Sequence, residues 1–224
     1  KSILFFIAFL CFIFMEAQTS QKINLDDLLA SLESENKAMG TISIARNGTT
    51  IYQKSNGFAN LMSRKKANQN TKYRIGSITK TFTATIILQL IEEGKLDFNT
   101  LLKGYFPEIP NADKITIEHL LYHRSGLYNI TQEEGFHIWI NKPRSRNEML
   151  KKMIDNGVVF EPDSKSEYSN TNYSLLSYIA EDIDKESFAK ILDKRIIKPL
   201  GLVNTSYGKE INFKKNEATS YYWR

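Results

Sequence analysis

The chain has 224 residues, 42% of them hydrophobic and 25% charged, with a net charge of +5. That composition excludes wholesale disorder and suits one large globular domain, or a core domain carrying an inserted lobe. The basic residues come in short runs (Arg64-Lys-Lys66, 142–146, Lys151-Lys152, Lys214-Lys215) interleaved with acids. The positive balance therefore reads as a solvated surface, and no nucleic-acid partner is expected.

Lys1 precedes an apolar run from Ile3 to Met15, and Glu16-Ala-Gln-Thr19 follows. A run of that length is short for a membrane span and suits the core of a secretory signal. Residues 1–17 are expected to be a signal peptide cleaved after Ala17, with a periplasmic or secreted mature chain from 18. An uncleaved signal would leave the protein membrane-anchored. The one cysteine, Cys11, lies within this segment, so the mature chain is expected to hold no disulfide. The sequence starts with Lys1 rather than methionine and is expected to be incomplete at its front.

Residues 24–38 pattern as an amphipathic helix with Leu25, Leu28, Leu29 and Leu32 on one stripe. Alternating β-branched residues then flank Asn47-Gly48, which predicts a hairpin over 41–54. Asn60 to Thr71 reads as a polar loop. A helix is expected from Ser77 to Glu93 with Gly94 as its stop. Its apolar residues Ile86, Ile87, Leu88, Leu90 and Ile91 cover nearly every side, which predicts a helix inside the protein. Residues 95–184 read as short helices and loops punctuated by prolines, a helical lobe inserted after that helix. Further helices are expected over 171–184 and 187–197, the last ended by Pro199 and Gly201. Residues 218–224 are rich in strand formers. An isolated two-stranded hairpin is marginally stable, so further strands are expected beyond Arg224.

Ser77 and Lys80 lie three residues apart on one helical face. The same Ser-x-x-Lys spacing recurs at Ser34/Lys37, Ser63/Lys66, Ser187/Lys190 and Ser206/Lys209. Context separates the pair at 77 and 80: Gly76 before it, a helix start at it and an apolar helix after it. A hydroxyl and an amine held together at the dry end of a buried helix suggest an activated nucleophile. The bland alternative makes Ser77 a helix cap and Lys80 a surface lysine. Tyr168-Ser-Asn170 is the one Tyr-x-Asn in the chain. Read alone, it is a turn in which Asn170 or Thr171 caps the next helix. His119 and His123 have the i, i+4 spacing of metal ligands but no third partner, so no metal and no cofactor is expected. Ser125 lacks the nucleophile-elbow context of a Ser-His-Asp triad.

Four ordered stretches carry a resemblance: Tyr73-Arg-Ile-Gly-Ser-Ile-Thr-Lys-Thr-Phe82, Ile115-Thr-Ile-Glu-His-Leu-Leu-Tyr-His-Arg-Ser-Gly-Leu127, Tyr168-Ser-Asn-Thr-Asn-Tyr-Ser-Leu-Leu176 and Pro199-Leu-Gly-Leu202. Together they resemble the serine β-lactamase and penicillin-binding-protein superfamily, in the branch similar to class C β-lactamases and D-alanyl-D-alanine carboxypeptidases. The resemblance implies an α+β fold, an antiparallel sheet flanked by helices with an all-helical lobe. It implies Ser77 as nucleophile, Lys80 and Tyr168 as its catalytic partners, and Asn170 as a substrate-orienting residue. Asp163 stands where a glycine is usual after Pro162. The family's third motif, Lys-Thr-Gly or His-x-Gly, has no counterpart, in line with sheet strands missing at the C-terminus.

The implied chemistry is acyl transfer on a β-lactam, D-amino-acid peptide or ester, with 18–224 an incomplete catalytic domain. A free lysine is about 1 part in 2,500 neutral at pH 7 and a free tyrosine about 1 part in 1,000 phenolate. Lys80 and Tyr168 are thus expected to titrate as a coupled pair, either of them the base. The Ser77 backbone N–H is the expected oxyanion donor. A second donor is implied on the missing strand, so the chain alone is expected to be inactive. A catalytically silent member that binds peptidoglycan-like ligands or partners is the alternative.

Overall fold

The computed structural model describes residues 24–140 and 142–221. Residues 1–17, expected to be a signal peptide and including Cys11, and the final residues 222–224 lie outside them. The chain is α+β, and its described residues form two compact units, 24–74 with 210–221 and 75–209.

In the first unit, helix α1 (Leu25–Ser34) starts where the Asn24 side chain accepts from the Asp26 N–H. It is shorter than expected, because Asn36 turns into the left-handed region at φ +53°. Of its leucine stripe Leu29 is buried, while Leu28 is 45% exposed. Strands β1 (Gly40–Arg46) and β2 (Thr49–Asn56) pair antiparallel around Asn47-Gly48, whose φ values of +50° and +76° make the two-residue turn the dipeptide favours. Short strands β3 (Phe58–Asn60) and β4 (Lys65–Lys66) pair antiparallel, the second of them inside the stretch 60–71 expected to be loop. The stretch rich in strand formers forms no strand over its described residues 218–221, and the adjacent Glu217 makes one bridge with Lys72.

The second unit holds the larger core. A 3-10 turn (Gly76–Ile78) leads into helix α2 (Thr79–Glu92), so the first turn expected as α-helix is more tightly wound. Ile86, Ile87 and Leu90 on α2 are fully buried against Leu175, Leu176 and Ile179 of helix α6 (Asn170–Asp184). Each such side chain contributes roughly 1.5–3 kcal/mol. The expectation of a helix buried on nearly every side is corrected here: Leu88 is 47% exposed. At about 100° per residue Leu88 points away from the face made by residues 83, 86, 87 and 90. Between α2 and α6 run short helices α3 (Ile117–Leu121) and α4 (Phe136–Trp139), and α5 (Arg146–Asn156), which a Ser145/Glu148 capping box starts. The helix expected over 187–197 is α7 (Phe188–Leu192) followed by a π-turn, Asp193–Ile197.

Arg195, on that turn, joins the C-terminal ends of α2 and α6. It donates to both carboxylate oxygens of Asp184 at 2.6 and 2.8 Å and to those of Glu93 at 2.7 and 3.1 Å. Hydrogen bonds from Arg195 and then Lys95 pull the Glu93 carboxyl down from 4.5 to about 2. A depressed acid stabilises the fold fully above its unfolded pKa and loses that contribution as pH falls through its folded one. Acid titration followed by circular dichroism should therefore show stability falling between pH 4.5 and about 2, with Glu93→Gln flattening that part of the curve.

Candidate active site

The site forms where two N-terminal helix ends meet a doubled-back segment. Residues 122–128 run beside 157–169, joined by Tyr128 N–H to the Gly157 carbonyl (3.1 Å), Val159 N–H to Gly126 (2.8 Å), Asp163 N–H to Arg124 (2.8 Å) and Glu167 N–H to His123 (2.9 Å). Gly126 permits this approach. A Cβ there would sit 2.0 Å from the Phe160 carbonyl oxygen. The Glu161-Pro-Asp-Ser164 turn closes through Ser164 N–H to Glu161 O (3.1 Å), with Asp163 at φ +68°. That is the third position of a turn with proline second, where glycine is favoured. The aspartate is held there because the Arg124 Nε donates to its Oδ1 at 2.5 Å and the same guanidinium reaches its carbonyl.

This scaffold places Tyr168 over His123, ring centroids 4.7 Å apart, with Tyr173 on the histidine at 5.2 Å. His123 Nδ1 accepts from the Ser169 N–H at 3.2 Å. Burial first, and then the charge of Lys80, lower the His123 pKa, so its imidazole is neutral at pH 7.

Ser77 Oγ lies 2.6 Å from Tyr168 Oη, a hydrogen bond in which either can donate. Lys80 Nζ donates to Asn170 Oδ1 at 2.6 Å and to Ser77 Oγ at 3.4 Å, and stands 4.8 Å from the Tyr168 ring centroid. All four residues singled out in the sequence thus meet. Ser77 makes no side-chain cap on α2, whose N-cap is Ile78, and Asn170 turns its carbonyl oxygen to Lys80 instead of capping α6. One expectation is corrected: the pair was placed at a dry end, yet Ser77 is exposed and Lys80 is only half-buried. The helix begins at the surface, so its N-terminal turn is solvated while its second half is buried. Burial raises the Tyr168 pKa, but the hydrogen bonds of Lys80 and Ser77 together with the Lys80 charge outweigh it, and the phenol ends below 10.

The other constellations separate. His119 belongs to α3 and accepts from the Thr116 N–H in a capping box, whereas His123 lies beyond the helix end at φ +59°. The two do not share a helical face. Ser125 is buried and donates to Asn172 Oδ1 at 2.7 Å. Asn129 and Thr131, which the sequence did not single out, both contact Asn170. Their one sequence signal is an Asn-x-Thr turn two residues after the Ser-Gly-Leu stretch.

This fold is that of the serine β-lactamase and penicillin-binding-protein superfamily. Residues 25–224 match the family model described as Beta-lactamase, and the chain is a member of that family. Over 187 residues it is 32% identical to protein flp of Staphylococcus aureus, covering 81% of this chain and 37% of flp. The structure resembles the octameric penicillin-binding protein homologue from Pyrococcus abyssi, with a TM-score of 0.76 and 31% identity over 88% of this chain and 47% of that one. It also resembles D-amino acid amidase from Ochrobactrum anthropi SV3, with a TM-score of 0.73 and 27% identity over 87% of this chain and 59% of the amidase. The chain thus spans about a third to three fifths of these relatives.

Proposed function

We propose that this protein is a secreted or periplasmic serine hydrolase that works through an acyl-enzyme on Ser77, with β-lactam, D-amino-acid peptide or ester substrates. The observation that carries this reading is the 2.6 Å contact between Ser77 Oγ and Tyr168 Oη, with Lys80 donating to both Ser77 and Asn170. Tyr168 is nearer the nucleophile than Lys80 is, and its pKa is lowered. It is therefore the immediate base, in the phenolate form that Lys80 favours. Tyr168 takes the Ser77 proton as Oγ bonds to the substrate carbonyl carbon. The tetrahedral oxyanion is received by the Ser77 N–H, and Asn170 orients the substrate amide beside Lys80. Collapse breaks the bond to the leaving group, which takes the proton from Tyr168 and departs or, in a β-lactam, stays tethered to the acyl group. Water then attacks the ester, gives its proton to Tyr168, and Ser77 leaves with that proton restored.

Export rests on the apolar stretch before residue 18. Among the described residues no helix is long and apolar enough to cross a membrane. The test is to incubate the full-length protein with a fluorescent penicillin, a p-nitrophenyl ester and a D-alanyl peptide, and to map any adduct by mass spectrometry. An adduct on Ser77 that is absent from Ser77→Ala is the expected result. No adduct and no turnover with any of the three would replace this reading by a silent member that binds such ligands or partners.

A further inference from the structure

We propose that Asn129, together with Thr131, is a positioning residue that fixes which end of the Asn170 amide faces Lys80. The inference rests on the acyl-enzyme reading above. An asparagine amide is nearly symmetric in shape, and its surroundings decide which end is the acceptor. Lys80 carries only donors, so it needs the Asn170 carbonyl oxygen, which it meets at 2.6 Å.

The opposite end of that amide is met by the loop following Gly126. Asn170 Nδ2 donates to Asn129 Oδ1 at 3.2 Å and to Thr131 Oγ1 at 3.0 Å. The Thr131 hydroxyl donates its own proton to Asn129 Oδ1 at 3.0 Å, which leaves only lone pairs facing Asn170. Both neighbours therefore present acceptors. A flipped Asn170 would set its carbonyl oxygen against them and its NH2 against an ammonium.

The loop is itself tied down. Asn129 Oδ1 also accepts from the Asn170 N–H at 3.0 Å, supplying to α6 a cap that its nominal N-cap, Ser169, does not make. The Ile130 N–H donates to Thr171 Oγ1, whose hydroxyl donates to the Tyr128 carbonyl at 2.6 Å. Ile130 is buried beneath the turn. Asn129 thus serves two ends, the helix terminus and the amide orientation, and Thr131 serves the second.

Thr131→Val keeps shape and the Asn129 cap on the Asn170 N–H while deleting the acceptor for Asn170 and the hydroxyl that donates to Asn129. In full-length protein its acylation rate with p-nitrophenyl acetate and fluorescent penicillin should fall about tenfold, with half-saturation unchanged. Thr131→Ser should restore the rate, and Asn129→Leu should lose more rate and thermal stability together. A Thr131→Val rate equal to wild type, or a loss that serine does not restore, overturns the proposal. A separate readout needs no turnover: NMR cross-peaks from the Asn170 NH2 protons to Thr131 are expected, and cross-peaks to the Lys80 Hε protons instead would overturn it. Persistence of the adduct in Ser77→Ala would defeat the acyl-enzyme reading and leave the NMR result to decide the orientation.

Discussion

Tyr168→Phe is expected to slow acylation of Ser77 by about 10²- to 10⁴-fold, the range over which a positioned general base acts. The substitution removes one oxygen, the atom 2.6 Å from Ser77 Oγ, and leaves the ring on His123. Half-saturation should accordingly change little, so that the loss falls on the chemical step. The pH profile supplies a second check. Wild-type acylation should rise with pH as Tyr168 deprotonates, with the midpoint of that limb below pH 10, because the phenol is lowered from that value. Tyr168→Phe should lack that limb. Stopped-flow acylation rates from pH 6 to 10 measure both. A variant within threefold of wild type, with the limb retained, would transfer the role of base to Lys80.

The second large effect is on stability. Arg195 is 9% exposed and Asp184 6% exposed, so their pairing is largely sheltered from solvent. Arg195→Met would leave Asp184 buried without its hydrogen-bonding partner, with Lys95 4.0 Å away and Lys194 acting through its charge alone. Removing one partner of a buried ion pair costs about 3–5 kcal/mol. In a protein of this size that lowers the melting temperature on the order of 10 °C. Arg195→Met combined with Asp184→Leu should recover most of the loss, because no unpaired charge remains. Thermal melts of wild type, the single variant and the double variant decide it. A single variant as stable as wild type would show that water reaches this pair.

How much of the molecule is legible in its sequence differs from element to element. Asn47-Gly48 is read directly, since a two-residue turn with both φ positive has few other solutions. Ser77 and Lys80 could be told from the other Ser-x-x-Lys matches by what surrounds them, and Tyr168 and Asn170 only by the resemblance of four ordered stretches to a known family. Asp163 stood out as a departure from glycine, and its φ of +68° gives the reason glycine is favoured there. What compensates it, the Arg124 guanidinium, is 39 residues away in the chain and invisible to local pattern. Asn129 was hidden for the same reason. A polar residue in a turn is ordinary, and its role depends on contacts to a helix start 41 residues later. The solvation of Ser77 was misjudged because helix composition averages over a terminus and an interior that differ.

The Arg195 clamp has an electrostatic consequence. α2 and α6 are 14 and 15 residues long, roughly 21 Å each, and their N-terminal ends meet at Lys80 and Asn170 while Arg195 joins their C-terminal ends. The two helix macrodipoles therefore lie parallel, an arrangement in which like ends repel. Arg195 sets a cation on both negative ends, where Glu93 and Asp184 would otherwise add to the repulsion. At the other end the two positive poles and the Lys80 ammonium add together. In the proposed acyl transfer, a developing oxyanion would enter a field whose sign is set by the parallel alignment of the two helices.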